Sequence, residues 1–132
     1  MSVFSSLTEI PAHGGREYDY DTRIGKNLGN TLPGDDPKFI GRGVLHLTGR
    51  DNYDKFGKKF GKDYVSNPES LANNPYTAVK AACFFWNSRN LNRLADNDHI
   101  RSVTLVVNSG FNGYEERKLA LKKAKQVLGG FQ

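Results

Sequence analysis

Side chains able to do chemistry gather early in this chain. Glu9, Glu17, Asp19 and Asp21 precede a glycine-rich segment, GRGVLHLTGRDNY at 41–53, in which arginines, a histidine and a threonine surround a short apolar run. Two carboxyl groups are what cleavage of a sugar–sugar bond requires. One protonates the leaving oxygen, and the other positions water or stabilises the oxocarbenium-like state. Acidic residues on exposed loops are common, so residue type alone selects none of these carboxylates. Other chemistries fit less well. His13, His46 and His99 are far apart and form no H-x-x-x-H or H-E-x-x-H arrangement, so no metal site is expected. No G-x-S-x-G element is present, which argues against a serine nucleophile. GRG at 41–43 is too short for a dinucleotide fingerprint and lacks the following helix, and no cofactor is expected.

The elements that must position these groups divide unevenly. Residues 1–40 read as loop-rich, dense in Gly, Pro, Asn and Asp, with room for a small β-hairpin. A structureless stretch this long is either functional or a sign of missing structure. Residues 41–132 read as a helical core. DNYDKFGKKFG forms an amphipathic helix with Tyr53, Phe56 and Phe60 inward. Asn74 and Pro75 make an N-cap and first-turn pair for YTAVKAACFFWNSR, whose Val79, Ala82, Cys83 and Trp86 recur at helical spacing. IRSVTLVVN gives a further helix, with Ile100, Val103, Val106 and Val107 apolar. GYEERKLALKKAKQVLGG gives the last, with Leu119, Ala120, Ala124, Val127 and Leu128 apolar and Gly129 as its stop. The expectation is one mainly α domain over 1–132.

At 132 residues the chain can bury a real core. Its formal charge is +5, from 19 Lys+Arg against 14 Asp+Glu, which suits an anionic polymer without choosing one. No apolar run approaches the ~18 residues of a membrane helix, so no membrane partner is expected. MSVFSSLTEI has neither a basic n-region nor a long apolar h-region, and no signal peptide is visible. No nucleic-acid module is recognised, and the basic run RKLALKKAK reads as a solvated helix face. The single Cys83 excludes an internal disulfide; within AVKAACFFW it reads as a buried, inert thiol.

GRGVLHLTGRDNY resembles the G-R-G-x-I/L-Q-L/I-T-G-R-x-N-Y segment of glycoside hydrolase family 19, which contains class I chitinases and bacteriophage endolysin relatives. The likeness continues in order. GNTLPGDDPKFIGRG is similar to the family's approach to that segment, NPESLANNPYTAVKAACFFW to its central helix, and VTLVVNSGFNGYEERK to its V-T-x-x-I/V-N-G-G-x-N-G-x-x-x-R block. Together these blocks span roughly residues 28–128.

The resemblance implies a lysozyme-like helical domain with a saccharide cleft, acting on β-1,4-linked N-acetylhexosamine polymer. The basic charge tilts the substrate towards peptidoglycan rather than chitin. Gly41 and Gly43 would turn the backbone beneath a sugar ring. Thr48 matches a threonine near the catalytic carboxylates, and Asn108 an asparagine that holds an N-acetyl group. Tyr53 and Arg117 fall on positions that line or brace the cleft. His46 stands where the family has glutamine, an imidazole in place of an amide at a sugar-binding position, and Ser109 replaces the first glycine of N-G-G. The family's H-E-S/T-G-G element, which carries the general acid, does not occur in these residues. The endolysin relatives place a second glutamate after an aromatic and a leucine, and Phe4, Leu7 and Glu9 have that shape. On that alignment Glu9 is the second catalytic carboxylate, the general acid falls at or just before Met1, and the expected domain over 1–132 is one that lacks the family's N-terminal helices. Two forms remain open: a hydrolase of cell-wall glycan, or a truncated, non-catalytic relative that binds glycan or a protein partner. The implied route is synthesis in the cytoplasm and action at the bacterial cell wall, after phage-type release or contact-dependent secretion.

Overall fold

The computed structural model describes residues 6–129. It is mostly helical, and the chain divides into two compact units between Phe85 and Trp86. In the first unit a 3-10 segment, Ala12–Tyr18, is followed by α1 (Arg23–Asn27), α2 (Asp35–Lys38), α3 (Arg50–Phe60), a 3-10 turn at Pro68–Leu71 and α4 (Pro75–Ser88). The N-terminal third is therefore more helical than expected. In place of a β-hairpin there are two isolated antiparallel bridges, Thr8 with Arg42 and Arg42 with Leu47.

Local rules account for these elements. The Thr22 hydroxyl caps α1 by accepting the Gly25 amide at 2.9 Å. α3 carries Asp51 in its first turn and Lys58 and Lys59 in its last, as the helix dipole favours, and ends on left-handed Gly61. Asn74 caps α4 by accepting the Tyr76 amide at 2.8 Å. Tyr53 and Phe56 of α3 are buried with Phe39, Leu47, Tyr64, Leu71 and Ala81, and Phe60 and Phe84 pack against them. Phe56 stands at the centre, with ring centroids 4.9 Å from Tyr64, 5.1 Å from Phe60 and 5.5 Å from Phe84.

The face that α4 buries differs from the expected one. Ala78 and Ala81 are buried, whereas Val79 and Cys83 are exposed, so Cys83 is not the buried thiol its neighbours suggested. The reason is closeness of approach: the Val44 amide donates to the Ala78 carbonyl at 3.3 Å, and only a small side chain fits so near a backbone.

The loops between α1 and α3 are held by side chains bonded to backbone. Asp35, 2% exposed, accepts the amides of Thr31 and Leu32 and both Nε and Nη2 of Arg50. Asn30 donates to the Tyr18 carbonyl and accepts the Arg50 amide, each at 2.8 Å.

The second unit holds the end of α4, then α5 (Leu91–Asp96), α6 (Ile100–Asn108) and α7 (Tyr114–Val127). α5 had no counterpart in the sequence reading. Val103, Val106 and Val107 of α6 are half-buried around a fully buried Thr104. Lys125 of α7 pairs with Asp98 in the turn between α5 and α6. The expected apolar face of α7 is uncovered: Leu119, Ala120, Ala124, Val127 and Leu128 are all exposed. Among the described residues no helix is long and apolar enough to cross a membrane.

Candidate active site

Leu7–Glu9 runs antiparallel to Gly41–Gly43. The Glu9 amide donates to the Gly41 carbonyl at 2.7 Å, and the Gly43 amide donates to the Leu7 carbonyl at 2.8 Å. This pairing turns the Glu9 carboxylate back onto the glycine segment. Its Oε2 accepts the Gly41 amide at 2.7 Å, and its Oε1 accepts the Tyr18 hydroxyl at 2.6 Å. Burial first, and the Glu9 contact second, push the Tyr18 hydroxyl above its usual range, so it stays a donor. Tyr18 reaches Glu9 because the backbone is left-handed at residues 13–15, where φ is 52°, 68° and 88°.

His46 adjoins the same point. Its backbone is also left-handed, with φ 52°, and its Nε2 lies 3.0 Å from the Ser6 carbonyl. A carbonyl only accepts, so Nε2 carries the proton in that contact and Nδ1 is left as an acceptor. The fixed tautomer thus supplies one acceptor where the family's amide has both a donor and an acceptor. The Thr48 hydroxyl donates to the His46 carbonyl at 2.8 Å, and the Thr48 carbonyl accepts from Asn52 at 2.7 Å. Glu9, His46 and Thr48 are each half-buried.

The glycines serve a different purpose from the expected one. A Cβ on Gly41 would lie 2.6 Å from the His46 Cβ and 3.0 Å from Glu9 Oε2. On Gly43, where φ is 86°, it would lie 3.1 Å from the Ala78 carbonyl and 3.2 Å from the Leu71 side chain. The space that glycine leaves is filled by this protein's own atoms and not by a ligand. Tyr53 likewise offers no surface to a sugar. It is fully buried, donates to the Ile40 carbonyl at 2.6 Å and accepts from Arg42 Nη1 at 3.0 Å. Burial pushes its hydroxyl up to about 12, against the pull of Arg42. Tyr53 is a brace: with Arg42, which also donates to the Lys38 carbonyl, it anchors the segment beneath Glu9.

Of the other candidate carboxylates, Asp19 accepts the amide of its own neighbour Tyr20 at 2.7 Å, while Asp21 is exposed and Glu17 half-buried. Phe4 lies outside the described residues. Among those described, no three His, Cys, Asp or Glu side chains are grouped to hold a metal ion.

In the second unit, Asn108 and Arg117 converge on one carbonyl. Asn108 Nδ2 donates to Asn112 O at 2.7 Å, Arg117 Nη1 donates to the same oxygen at 3.0 Å, and Arg117 Nη2 donates to Asn108 Oδ1 at 3.2 Å. Ser109 ends α6 in the left-handed conformation, φ 55°, which explains a glycine preference at that position. Asn108 keeps one amide proton and one lone pair for a ligand. Beside it, Phe111 carries the Arg101 guanidinium 4.3 Å above its ring.

Sequence reasoning missed Tyr18, Arg42, Asn30, Asp35 and Arg50. Their partners are backbone groups or residues distant in sequence, and no periodicity signals such contacts.

Comparison with known proteins places the sequence in a family. Residues 17–103 match the chitinase class I family, a range that includes His46, Thr48 and Tyr53 but not Glu9, Asn108 or Arg117. The chain is 38% identical over 98 residues to a glycosyl hydrolase family 19 domain-containing protein of Haemophilus influenzae, covering 74% of this chain and 46% of that protein. It is 39% identical over 62 residues to the acidic 27 kDa endochitinase of Solanum lycopersicum, covering 47% of this chain and 25% of the relative. Against acidic endochitinase Q of Nicotiana tabacum the figures are 35% over 63 residues, 48% and 25%. The chain therefore spans less than half the length of these relatives. The match across residues 17–103 shows that the chain belongs to glycoside hydrolase family 19, the class I chitinase family.

Proposed function

We propose that this domain acts on β-1,4-linked N-acetylhexosamine polymer, with peptidoglycan as the substrate rather than chitin. One observation carries the reading. The Glu9 carboxylate is clamped between the Gly41 amide and the Tyr18 hydroxyl, on the segment whose sequence is most like the family's. Both contacts require Glu9 to accept, and each oxygen keeps a lone pair. That suits a group that positions water or stabilises positive charge, and not one that delivers a proton. Thr48 and His46 Nδ1 are further polar points on the same glycine segment, and in the second unit Asn108 separately has amide capacity left for an N-acetyl group. The formal charge of +5 favours an anionic wall polymer. Such a substrate places the protein at the bacterial cell wall, reached by phage-type release or contact-dependent secretion.

Release of reducing ends from purified peptidoglycan and from chitin oligomers tests this. Wild type should act on peptidoglycan in preference to chitin, and Glu9→Gln should lose activity by about 10²-fold or more. Equal or greater activity on chitin would reject peptidoglycan as the substrate.

The same hydrogen bonds favour a second reading, in which Glu9 and Asn108 serve mainly to hold their own loops and the domain binds glycan without turnover. Sedimentation with insoluble peptidoglycan and no release of reducing ends at any pH would select it.

A further inference from the structure

The turn between α6 and α7 carries an arrangement that goes beyond general glycan binding. We infer that Arg101, held over the Phe111 ring, is a recognition point for carboxylates carried by an amino-sugar strand; this deepens the peptidoglycan reading and rests on it. Arg101 is exposed, and its guanidinium lies over the Phe111 ring at 4.3 Å. No carboxylate pairs with it among the described residues. A guanidinium held over a ring and paired with no carboxylate keeps N–H donors available, the fork that grips a carboxylate in two parallel bonds. Phe111, itself 42% exposed, meets Tyr114 edge-on at 6.2 Å, and Lys118 lies 5.2 Å from the centre of the Tyr114 ring. Two aromatic rings thus stand side by side, each with a cation over it.

Arg101 and Asn108 are seven residues apart, two turns on one face of α6, roughly 10–11 Å along the axis. A strand held at Asn108 through an N-acetyl group would therefore run along the face of α6 that also carries Arg101. The acids nearby do not occupy the cation. Glu115 pairs with Lys118 at 3.5 Å, and Glu116 falls about 200° round α7 from Tyr114. Chitin presents only hydroxyl and acetamide groups, for which an unpaired guanidinium has no particular use. Peptidoglycan adds lactyl groups and peptide stems bearing carboxylates.

The test is sedimentation of the full chain with intact peptidoglycan sacculi, with amidase-stripped glycan strands whose lactyl carboxylates are free, and with chitin. Arg101→Gln should weaken binding to a carboxylate-bearing polymer about five- to tenfold, leave chitin binding unchanged and leave the Tm unchanged. Arg101→Lys, which keeps the charge and loses the fork, should recover part of the loss. A loss confined to intact sacculi identifies stem carboxylates as the ligand; a loss confined to stripped strands identifies the lactyl groups. Unchanged affinity for both, or an equal fall for chitin, would overturn the assignment. If wild type binds none of the three polymers, the glycan reading itself fails, and the role of Arg101 with it.

Discussion

At Glu9, donors from two directions fix a carboxylate over a backbone that has no side chain to obstruct it. That geometry makes the site sensitive to single atoms. Gly41→Ala would place a methyl 2.6 Å from the His46 Cβ, and we expect a loss of about 1–3 kcal/mol, read by thermal or urea denaturation. Tyr18→Phe removes the other donor. It should cost about 1 kcal/mol or less in stability, yet lower glycan turnover more than glycan affinity, because Glu9 is then held at one oxygen only, by the Gly41 amide. Loss of affinity without loss of turnover would contradict that role. Glu9, His46 and Thr48 could be named from the chain because motif likeness preserves residue type. Tyr18 could not, since its link to Glu9 depends on how residues 13–15 bend the chain. For Tyr53 the direction of the side chain was legible too: the helical spacing that put it inward in the sequence also removed it from any ligand, leaving of its two expected roles only the brace.

Among the elements, those with sustained apolar periodicity were readable. α3, α4, α6 and α7 follow their patterns in existence and approximate extent. The short helices α1 and α2 did not show, because they rest on Asn30, Asp35 and Arg50 rather than on an apolar stripe. That dependence gives a pH prediction. Burial pushes the Asp35 carboxyl up, but the hydrogen bonds from Arg50 and from the amides of Thr31 and Leu32 outweigh it, and the carboxyl lies below the ordinary value of 3.8. A carboxyl lowered by folding binds fewer protons in the folded state. Its stabilisation is present in full above the unfolded value and is lost as pH falls from 3.8 through the lowered folded value. Asp35→Asn should flatten that part of the acid limb. Asp35→Ala, which leaves Arg50 without its partner, should cost about 3 kcal/mol near neutral pH. An unchanged acid limb in Asp35→Asn would show that the pair does not hold the loops. α4 offers a simpler check: Asn74→Ala should cost about 1 kcal/mol through loss of its cap.

On the scale of the whole molecule, composition indicated a buried core and a basic balance of charge, but not where apolar surface stays uncovered. α7 shows the limit. Its periodicity was correct, yet Leu119, Val127 and Leu128 are exposed, because periodicity reports which residues share a face and not what meets that face. Replacing Leu119 and Val127 with glutamate should therefore change the Tm little, within about 0.5 kcal/mol per site, while reducing self-association measured by light scattering. A large fall in Tm would mean that this face is covered in solution. The central claim concerns the other unit, where the Gly41 segment presents Glu9, His46 and Thr48 to an amino-sugar strand. Its most direct test is titration of the ¹⁵N-labelled chain with soluble glycan strands prepared from peptidoglycan. The account predicts saturable amide shifts centred on Gly41, His46 and Thr48. Saturable binding that leaves those amides unmoved, or no binding at all, would contradict it.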